Sequence, residues 1–388
     1  MTAGPAALLV LEDGTTFRGT GYGADGETFG EAVFNTGMTG YQETLTDPSY
    51  CRQIVAMTAP HIGNTGINDE DNESRAIWVS GFVIRDASPI ASSWRSARTL
   101  DEELAAAGIT AIAITGTRAL TLHLRERGAM RAAISTTATD AGELLERVLA
   151  SPSMIGADLA RVVSTSEPYV VTPPAGTAVR YRVAAVDLGI KAATPLAMAR
   201  LGCQVHVLPA SSTAEQILAT DPDGVFFSNG PGDPAACGYA VTAMREVLAA
   251  RVPVFGICLG SQVLGLALGL DTYKLRFGHR GVNQPVQDRR TAKVHITSHN
   301  HGFAVAMPPA GAAPAFDTDF GPAQVTHVNL NDGVLEGLAL TDRPAFAVQY
   351  HPEAAPGPHD ARGLFGEFCA LMDRSRKPGQ GPGRGAAA

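Results

Sequence analysis

Lysine is almost missing from this chain. Among its 30 basic residues only Lys191, Lys274, Lys293 and Lys377 are lysines, and 38 acidic residues give a formal charge of −8. A net-negative chain with no basic block lacks the electrostatic footprint of a nucleic-acid binder, so that class is excluded. The five cysteines, Cys51, Cys203, Cys237, Cys258 and Cys369, are odd in number, scattered and never spaced C-x-x-C. That argues against a disulfide framework and against a thiolate metal site. No apolar run reaches the length of a bilayer span, and the first residues lack a basic stretch followed by an apolar one and a cleavage site. A cytoplasmic protein with no membrane partner is therefore expected. What is present is core material: 45% of the 388 residues are hydrophobic, enough for two to three domains.

The stretch LLVLEDGTTFRGTGYG (8–23) sets two β-type runs around Asp13-Gly14, a hairpin signal. Short apolar runs and glycine turns follow. Helical periodicity appears at 99–108, with Thr99 as N-cap and Gly108 as stop. It returns at 119–128, closed by Gly128, and at 140–150, while 111–116 reads as a buried strand. A mixed β/α N-terminal domain is expected over 1–163. Residues 164–180 lose periodicity and carry Pro168, Pro173 and Pro174, which reads as a linker. Strands at 182–189, 204–209, 224–227 and 252–257 then alternate with helices near 191–201, 213–220, 238–251 and 261–269. This alternation implies right-handed crossovers and an α/β domain, over 181–374, with a mostly parallel sheet flanked by helices. The Gly/Pro/Arg tail, 375–388, reads as disordered.

Three elements of the second half carry chemistry. The run Val254-Phe-Gly-Ile-Cys258-Leu-Gly-Ser-Gln262 is an apolar strand, a Gly-x-Cys-x-Gly turn and a helix, the cysteine form of a nucleophile elbow. A sharp turn there pushes the thiol out of the sheet. Gly256 and Gly260 permit the turn, the helix N-terminus favours thiolate, and the Leu259 N–H is free to bind an oxyanion. Taken singly, this short pattern also fits a small buried cysteine. The loop Ser228-Asn-Gly230-Pro-Gly232-Asp-Pro234 ends the preceding strand, and its glycines can offer backbone N–H groups; alone it is a tight turn. Phe346-Ala-Val-Gln-Tyr350-His351-Pro352-Glu353 ends an apolar run in a histidine and a carboxylate. A thiol needs such a base, and a carboxylate can orient its imidazole.

In this order the three elements resemble the class I (triad) glutamine amidotransferases, over roughly 180–372. The resemblance implies that Cys258 is the nucleophile, His351 the general base and acid, and Glu353 its partner. It also implies a glutamyl thioester that water releases as glutamate after ammonia has left. Phe34-Asn-Thr-Gly37-Met-Thr-Gly40-Tyr-Gln-Glu43, Leu45-Thr-Asp-Pro-Ser49-Tyr and Pro60-His-Ile-Gly-Asn-Thr-Gly66 resemble one branch of that class, the small subunits of carbamoyl-phosphate synthase. So do 117–134, Asp187-Leu-Gly-Ile-Lys191 and Ser298-His-Asn300-His-Gly302-Phe303. Glutamine contacts then carry over to Ser49, Gly230, Gly232, Leu259, Gln262, Asn300, Gly302 and Phe303. Ser261 stands where many members have His or Met, and His299 where Gln is frequent. The implied partner is a large subunit that uses ATP and Mg to make carbamoyl phosphate from bicarbonate, for pyrimidine or arginine biosynthesis. Consistent with that division, this chain has no GxxxxGK[ST], and no cofactor is expected in it.

Other patterns fail their context tests. Gly21-Tyr-Gly23-Ala-Asp-Gly26 spells GxGxxG but follows a hairpin and leads to no helix. His295, His299 and His301 cluster, yet a zinc site would need further ligands, so structural or substrate-wall roles are favoured and no metal is expected. His61 in PHIGN reads as a loop or interface residue, and Asp69-Glu-Asp-Asn-Glu73 as a solvated loop. The competing functions are an amidotransferase serving another synthase, a non-catalytic scaffold and a stand-alone cysteine hydrolase. The N-terminal motifs argue against the first, and the presence of Cys258, His351 and Glu353 argues against the second.

Overall fold

The structure, a computed structural model, describes residues 4–308 and 315–376. The tail that reads as disordered lies outside them from residue 377 onward. The chain divides into two compact units, one holding the residues up to Ile155 with Arg276–Gly281, the other Gly156–Leu275 and the chain from Val282. The division thus falls ahead of the expected linker. Within 164–180, Tyr169–Val171 forms an edge strand, and the Asp187 carboxylate accepts the Thr165 N–H at 2.7 Å. Proline-rich sequence without periodicity is what a short edge strand also looks like.

The first unit is a closed barrel. Its strands are β1 (Ala6–Leu11), β2 (Thr16–Gly23), β3 (Glu27–Asn35), β4 (Gln53–Met57), β6 (Gly81–Ile84), β8 (Thr110–Ala113) and β9 (Met130–Ser135), in the order β1-β2-β8-β6-β4-β3-β9. A two-stranded ladder of β5 (His61–Ile62) and β7 (Asp86–Ala87) stands apart. Closure through antiparallel β1–β9 removes both sheet edges. Alternation along each strand decides the layers. Leu9 and Leu11, Ala32 and Phe34, Ile54 and Ala56, Val83, Ile112, and Ala132 and Ile134 share one core, with Leu120 and Leu124 of the helix Thr117–Arg127. Phe277 packs on this core and stacks on Phe34 at 5.8 Å. The opposite parity of β1 and β9 meets Leu144 and Val148 of the helix Ala141–Ala150. β1 is therefore buried on both faces, as its unbroken apolar run requires. The expected hairpin forms at Asp13-Gly14, with Gly14 at φ 85°, and Thr99 and Glu102 make a reciprocal capping box.

The second unit is built on a ten-stranded sheet. In chain order its strands are β10 (Tyr169–Val171), β11 (Tyr181–Asp187), β12 (Cys203–Pro209), β13 (Gly224–Phe227), β14 (Val254–Ile257), β15 (Thr272–Asp288), β16 (Val294–Val305), β17 (Ala323–Asn329), β18 (Leu335–Leu340) and β19 (Ala345–Val348). The spatial order is β10-β12-β11-β13-β14-β19-β18-β17-β15-β16. The five strands from β12 to β19 pair in parallel, as the strand–helix alternation requires. Beyond β19 the pairing turns antiparallel. Both faces of the parallel part are covered. Ala184 and Val186 share a core with Leu259 and Val263 of the helix Leu259–Ala267 and Met244 and Val247 of the helix Gly238–Ala249. Val183 and Ala185 meet Met198 and, from the helix Gly363–Ser375, Phe365 and Phe368. Among the described residues no helix is long and apolar enough to cross a membrane.

The antiparallel part buries His327, whose Nδ1 lies 2.9 Å from Thr326 Oγ1 and whose ring meets Tyr350 edge-on. Burial pushes its imidazole down to about 4, with Arg290 adding to the effect and Asp288 opposing it. The unfolded chain's histidine titrates near 6.5, so between these values the unfolded state binds the extra proton and stability falls as pH falls. We predict that between pH 7 and pH 5 the wild-type chain loses about 2 kcal/mol more stability than His327→Asn, from this linkage alone. Denaturant titrations at the two pH values measure it; equal losses would remove His327 from the acid response.

Candidate active site

Four neighbouring parallel strands, β11, β13, β14 and β19, deliver their carboxyl ends to one edge of the second unit, where open α/β sheets place their chemistry. Strand β14 turns at Cys258 straight into the helix Leu259–Ala267. Cys258 sits at φ 54°, ψ −103°, a region L-residues rarely adopt. The next turn locks at once, with Ser261 and Gln262 donating their N–H groups to the Cys258 carbonyl at 3.0 and 3.1 Å. Close backbone approach explains the flanking glycines. A Cβ on Gly260 would sit 2.1 Å from the Phe227 carbonyl oxygen, and one on Gly256 2.7 Å from that of Gly260. The Gly260 N–H donates to the Ser228 carbonyl at 3.0 Å, which ties the elbow to the glycine loop.

That loop is equally constrained. A Cβ on Gly230 would meet the Leu188 oxygen at 2.0 Å, and Gly232 is at φ 95° with the Ala157 oxygen 2.5 Å from its would-be Cβ. Ser228 Oγ accepts the Leu188 N–H at 2.9 Å, and Asn229 Nδ2 donates to the Gly189 carbonyl at 2.8 Å. The ends of β11 and β13 are thereby stitched together.

His351 follows β19, whose Val348 pairs with Ile257 and accepts the Cys258 N–H at 2.9 Å. The two adjacent strands thus bring Cys258 and His351 to one place, though they lie far apart in sequence. His351 Nδ1 is 2.7 Å from Glu353 Oε1. Its Nε2 is buried and makes no hydrogen bond among the described residues. Burial pushes this imidazole down, but the Glu353 carboxylate and the Cys258 side chain beside it more than offset that and hold it well above its ordinary value. Burial pushes the Glu353 carboxyl up, yet the His351 imidazole and the Lys191 ammonium bring it below the usual carboxylate range. Cys258 is buried, with Sγ 3.7 Å from the Asn300 carbonyl oxygen.

Gln262 Nε2 donates to the Phe303 carbonyl at 2.7 Å and to Gln349 Oε1 at 3.0 Å. Asn300, Gly302 and Phe303 lie on β16, and Leu259 opens the elbow helix. Of the residues read from sequence, Cys258, His351 and Glu353 therefore meet as one chain of contacts, and Gln262 is tied to Phe303. Ser49 belongs to the first unit, in the turn Pro48–Tyr50, where its N–H donates to Asp47 Oδ1 at 2.9 Å.

One functional residue stood in the sequence only as part of a motif. Lys191, buried, lies 3.5 Å from Glu353 Oε1 and donates to the carbonyls of Ala354 and Ala355 at 2.7 and 2.9 Å. Both alanines have positive φ, 59° and 48°. Asp187 shapes the turn that aims Lys191, accepting the N–H groups of Gly189 and Ile190 at 2.9 and 2.7 Å. The scarcity of lysine, with one of the four ending the Asp187-Leu-Gly-Ile-Lys191 motif, was the available signal. Removing a cation that faces a buried carboxylate leaves that charge uncompensated. Lys191→Met is expected to cost about 3 kcal/mol in denaturant unfolding, with Lys191→Arg recovering part of it; a midpoint unchanged in the Met variant would contradict this account of the ion pair.

Comparison with known proteins agrees with the layout. Residues 9–134 match the family described as carbamoyl-phosphate synthase small chain, CPSase domain, and 184–371 match glutamine amidotransferase class-I. A carbamoyl phosphate synthase small chain of Streptomyces avermitilis is 62% identical, covering 95% of this chain and 97% of its own. One from Mycobacterium tuberculosis is 57% identical, covering 94% and 98%. A solved glutamine amidotransferase from Thermotoga maritima overlaps 51% of this chain and 87% of its own, at 18% identity and a TM-score of 0.35. The near-full-length identity decides the matter: the chain belongs to the carbamoyl-phosphate synthase small chain family, as its glutamine-hydrolysing amidotransferase subunit.

Proposed function

We propose that this chain hydrolyses glutamine through a thioester on Cys258 and hands the ammonia to a large subunit. The observation that carries the reading is the chain Lys191–Glu353–His351, which ends on a buried Nε2 beside Cys258. The thiol proton passes to His351 Nε2, and Sγ attacks the side-chain amide carbon of glutamine. The oxyanion that forms takes backbone N–H groups of the elbow and the glycine loop, Leu259 and Gly230 among them. The imidazolium protonates the departing nitrogen, which leaves as ammonia, with Cys258 acylated. Water, deprotonated by the now neutral His351, then attacks the thioester and releases glutamate. Glu353 holds the imidazole in one tautomer and stabilises its charged form throughout. The close backbone packing at Gly230 and Gly260 supports donors that need no rearrangement during the reaction.

The ATP- and Mg-dependent steps, on this reading, belong to the large subunit, and its carbamoyl phosphate serves pyrimidine or arginine synthesis. Ammonia must reach that subunit unprotonated, because ammonium has no lone pair with which to attack.

Cys258→Ser, in complex with the large subunit, is expected to lose glutamine-dependent synthesis by on the order of 10³-fold or more and to keep synthesis from added ammonia. Survival of glutamine-dependent synthesis would refute the nucleophile. His351→Asn is expected to lower thioester formation by about 10²–10⁴-fold. Acid-quenched trapping of labelled glutamine on the protein measures it; normal trapping at normal rates would remove His351 from the mechanism.

A further inference from the structure

Two cysteines that glutamine hydrolysis does not use meet inside the second unit. Cys203 opens β12 and is fully buried in the core that the helix Gly363–Ser375 covers. Cys369 lies on that helix, next to the core residues Phe365, Phe368 and Met372 but itself only partly covered. The two sulfurs are 3.9 Å apart. Of the five cysteines, Cys369 alone is not buried. A separation of 166 residues hides the pair from the sequence.

The two thiols are not equivalent. Cys369 is partly exposed and has a cation nearby: Arg180 Nη2 is 3.9 Å from Asp373 Oδ2, one helical turn beyond Cys369. The hydrogen bond from Cys203, helped by the Arg180 guanidinium, holds the Cys369 thiol below its ordinary value against burial and the Asp373 carboxylate. That same hydrogen bond and burial push the Cys203 thiol up. A partly exposed sulfur with thiolate character reacts with oxidants, whereas a buried thiol is inert to them. A second thiol held against the first converts its oxidised form to a disulfide.

We propose that Cys369 and Cys203 form an oxidation site at which a peroxide turns the two thiols into a disulfide. With hydrogen peroxide, the Cys369 sulfur attacks one oxygen and the O–O bond breaks. The sulfur becomes a sulfenic acid, and the other oxygen leaves as hydroxide, which the Cys369 proton converts to water. Cys203 then attacks the Cys369 sulfur. The S–S bond forms, the S–O bond breaks, and the departing hydroxide takes the Cys203 proton as a second water. Each sulfur loses one electron, and the peroxide oxygens gain both. Closing 3.9 Å to a bond of about 2.05 Å asks each sulfur to move about 1 Å, which rotation about Cα–Cβ supplies. The bond ties the helix Gly363–Ser375 to the strand beneath it.

The test uses the full, reduced chain, treated with hydrogen peroxide, alkylated under denaturing conditions and digested without reductant. Mass spectrometry should find the Cys203 and Cys369 peptides joined, two hydrogens lighter than their sum, and separated again by dithiothreitol. In Cys203→Ser, which keeps the side chain's size, a 1,3-dione should trap the sulfenic acid on Cys369. In Cys369→Ser, Cys203 should be recovered as a free thiol. Should either variant fold poorly, the wild-type cross-link decides alone. Both cysteines recovered free from the treated wild type, a bond from either to another cysteine, or the dione on Cys203 in Cys369→Ser would overturn the proposal. So would a wild-type Cys369 driven on to sulfinic acid beside a free Cys203.

Discussion

The backbone turn at Cys258 is the constraint on which the rest of the site depends. A non-glycine residue at φ 54°, ψ −103° costs about 1–3 kcal/mol and persists only where its surroundings allow no alternative. Here they allow none. β14 is fixed on both sides by parallel neighbours, and the Cys258 N–H continues the pairing to Val348. The helix that follows is pressed so closely on Phe227 that only hydrogen fits on Gly260. Strain at Cys258 is thus sustained by the buried sheet beneath it, and the thiol's orientation is fixed by the fold alone.

The second requirement is electrostatic. Glu353 is a buried carboxylate, costly unless paired, and it has Lys191 on one side and His351 on the other. The ammonium also holds two carbonyls of the strained Ala354–Ala355 segment. One cation therefore neutralises the orienting carboxylate and shapes the loop that follows it. The imidazole inherits both effects, fixed in direction through Nδ1 and favoured in its charged form.

Much of this was legible in the sequence because it is local. Strand–helix alternation named the parallel strands, Thr99 and Gly128 marked helix ends, and three short motifs, weak singly but specific in their order, named Cys258, His351 and Glu353, which the structure brings together. What was not legible depends on pairing between distant segments. Nothing in the run Ala6–Leu11 says that it closes a barrel against Met130–Ser135, and the antiparallel strands beyond β19 have no helical spacers to announce them. Tyr169–Val171 hides among prolines because an edge strand needs only one partner. Lys191 was not legible as part of the site for the same reason: it acquires its place from Glu353, Ala354 and Ala355, more than a hundred residues away.

The elbow helix and β16 are not independent. The Phe303 carbonyl accepts from Gln262 Nε2 of the elbow helix and also lies 2.9 Å from His301 Nδ1. A carbonyl held more tightly by His301 has less to offer Gln262, whose other acceptor is Gln349, just past the end of β19 and two residues before His351. The geometry of the elbow helix and that of β16 are therefore set through one oxygen atom. Burial makes this coupling effective, because in the absence of competing water each of these bonds polarises its neighbour.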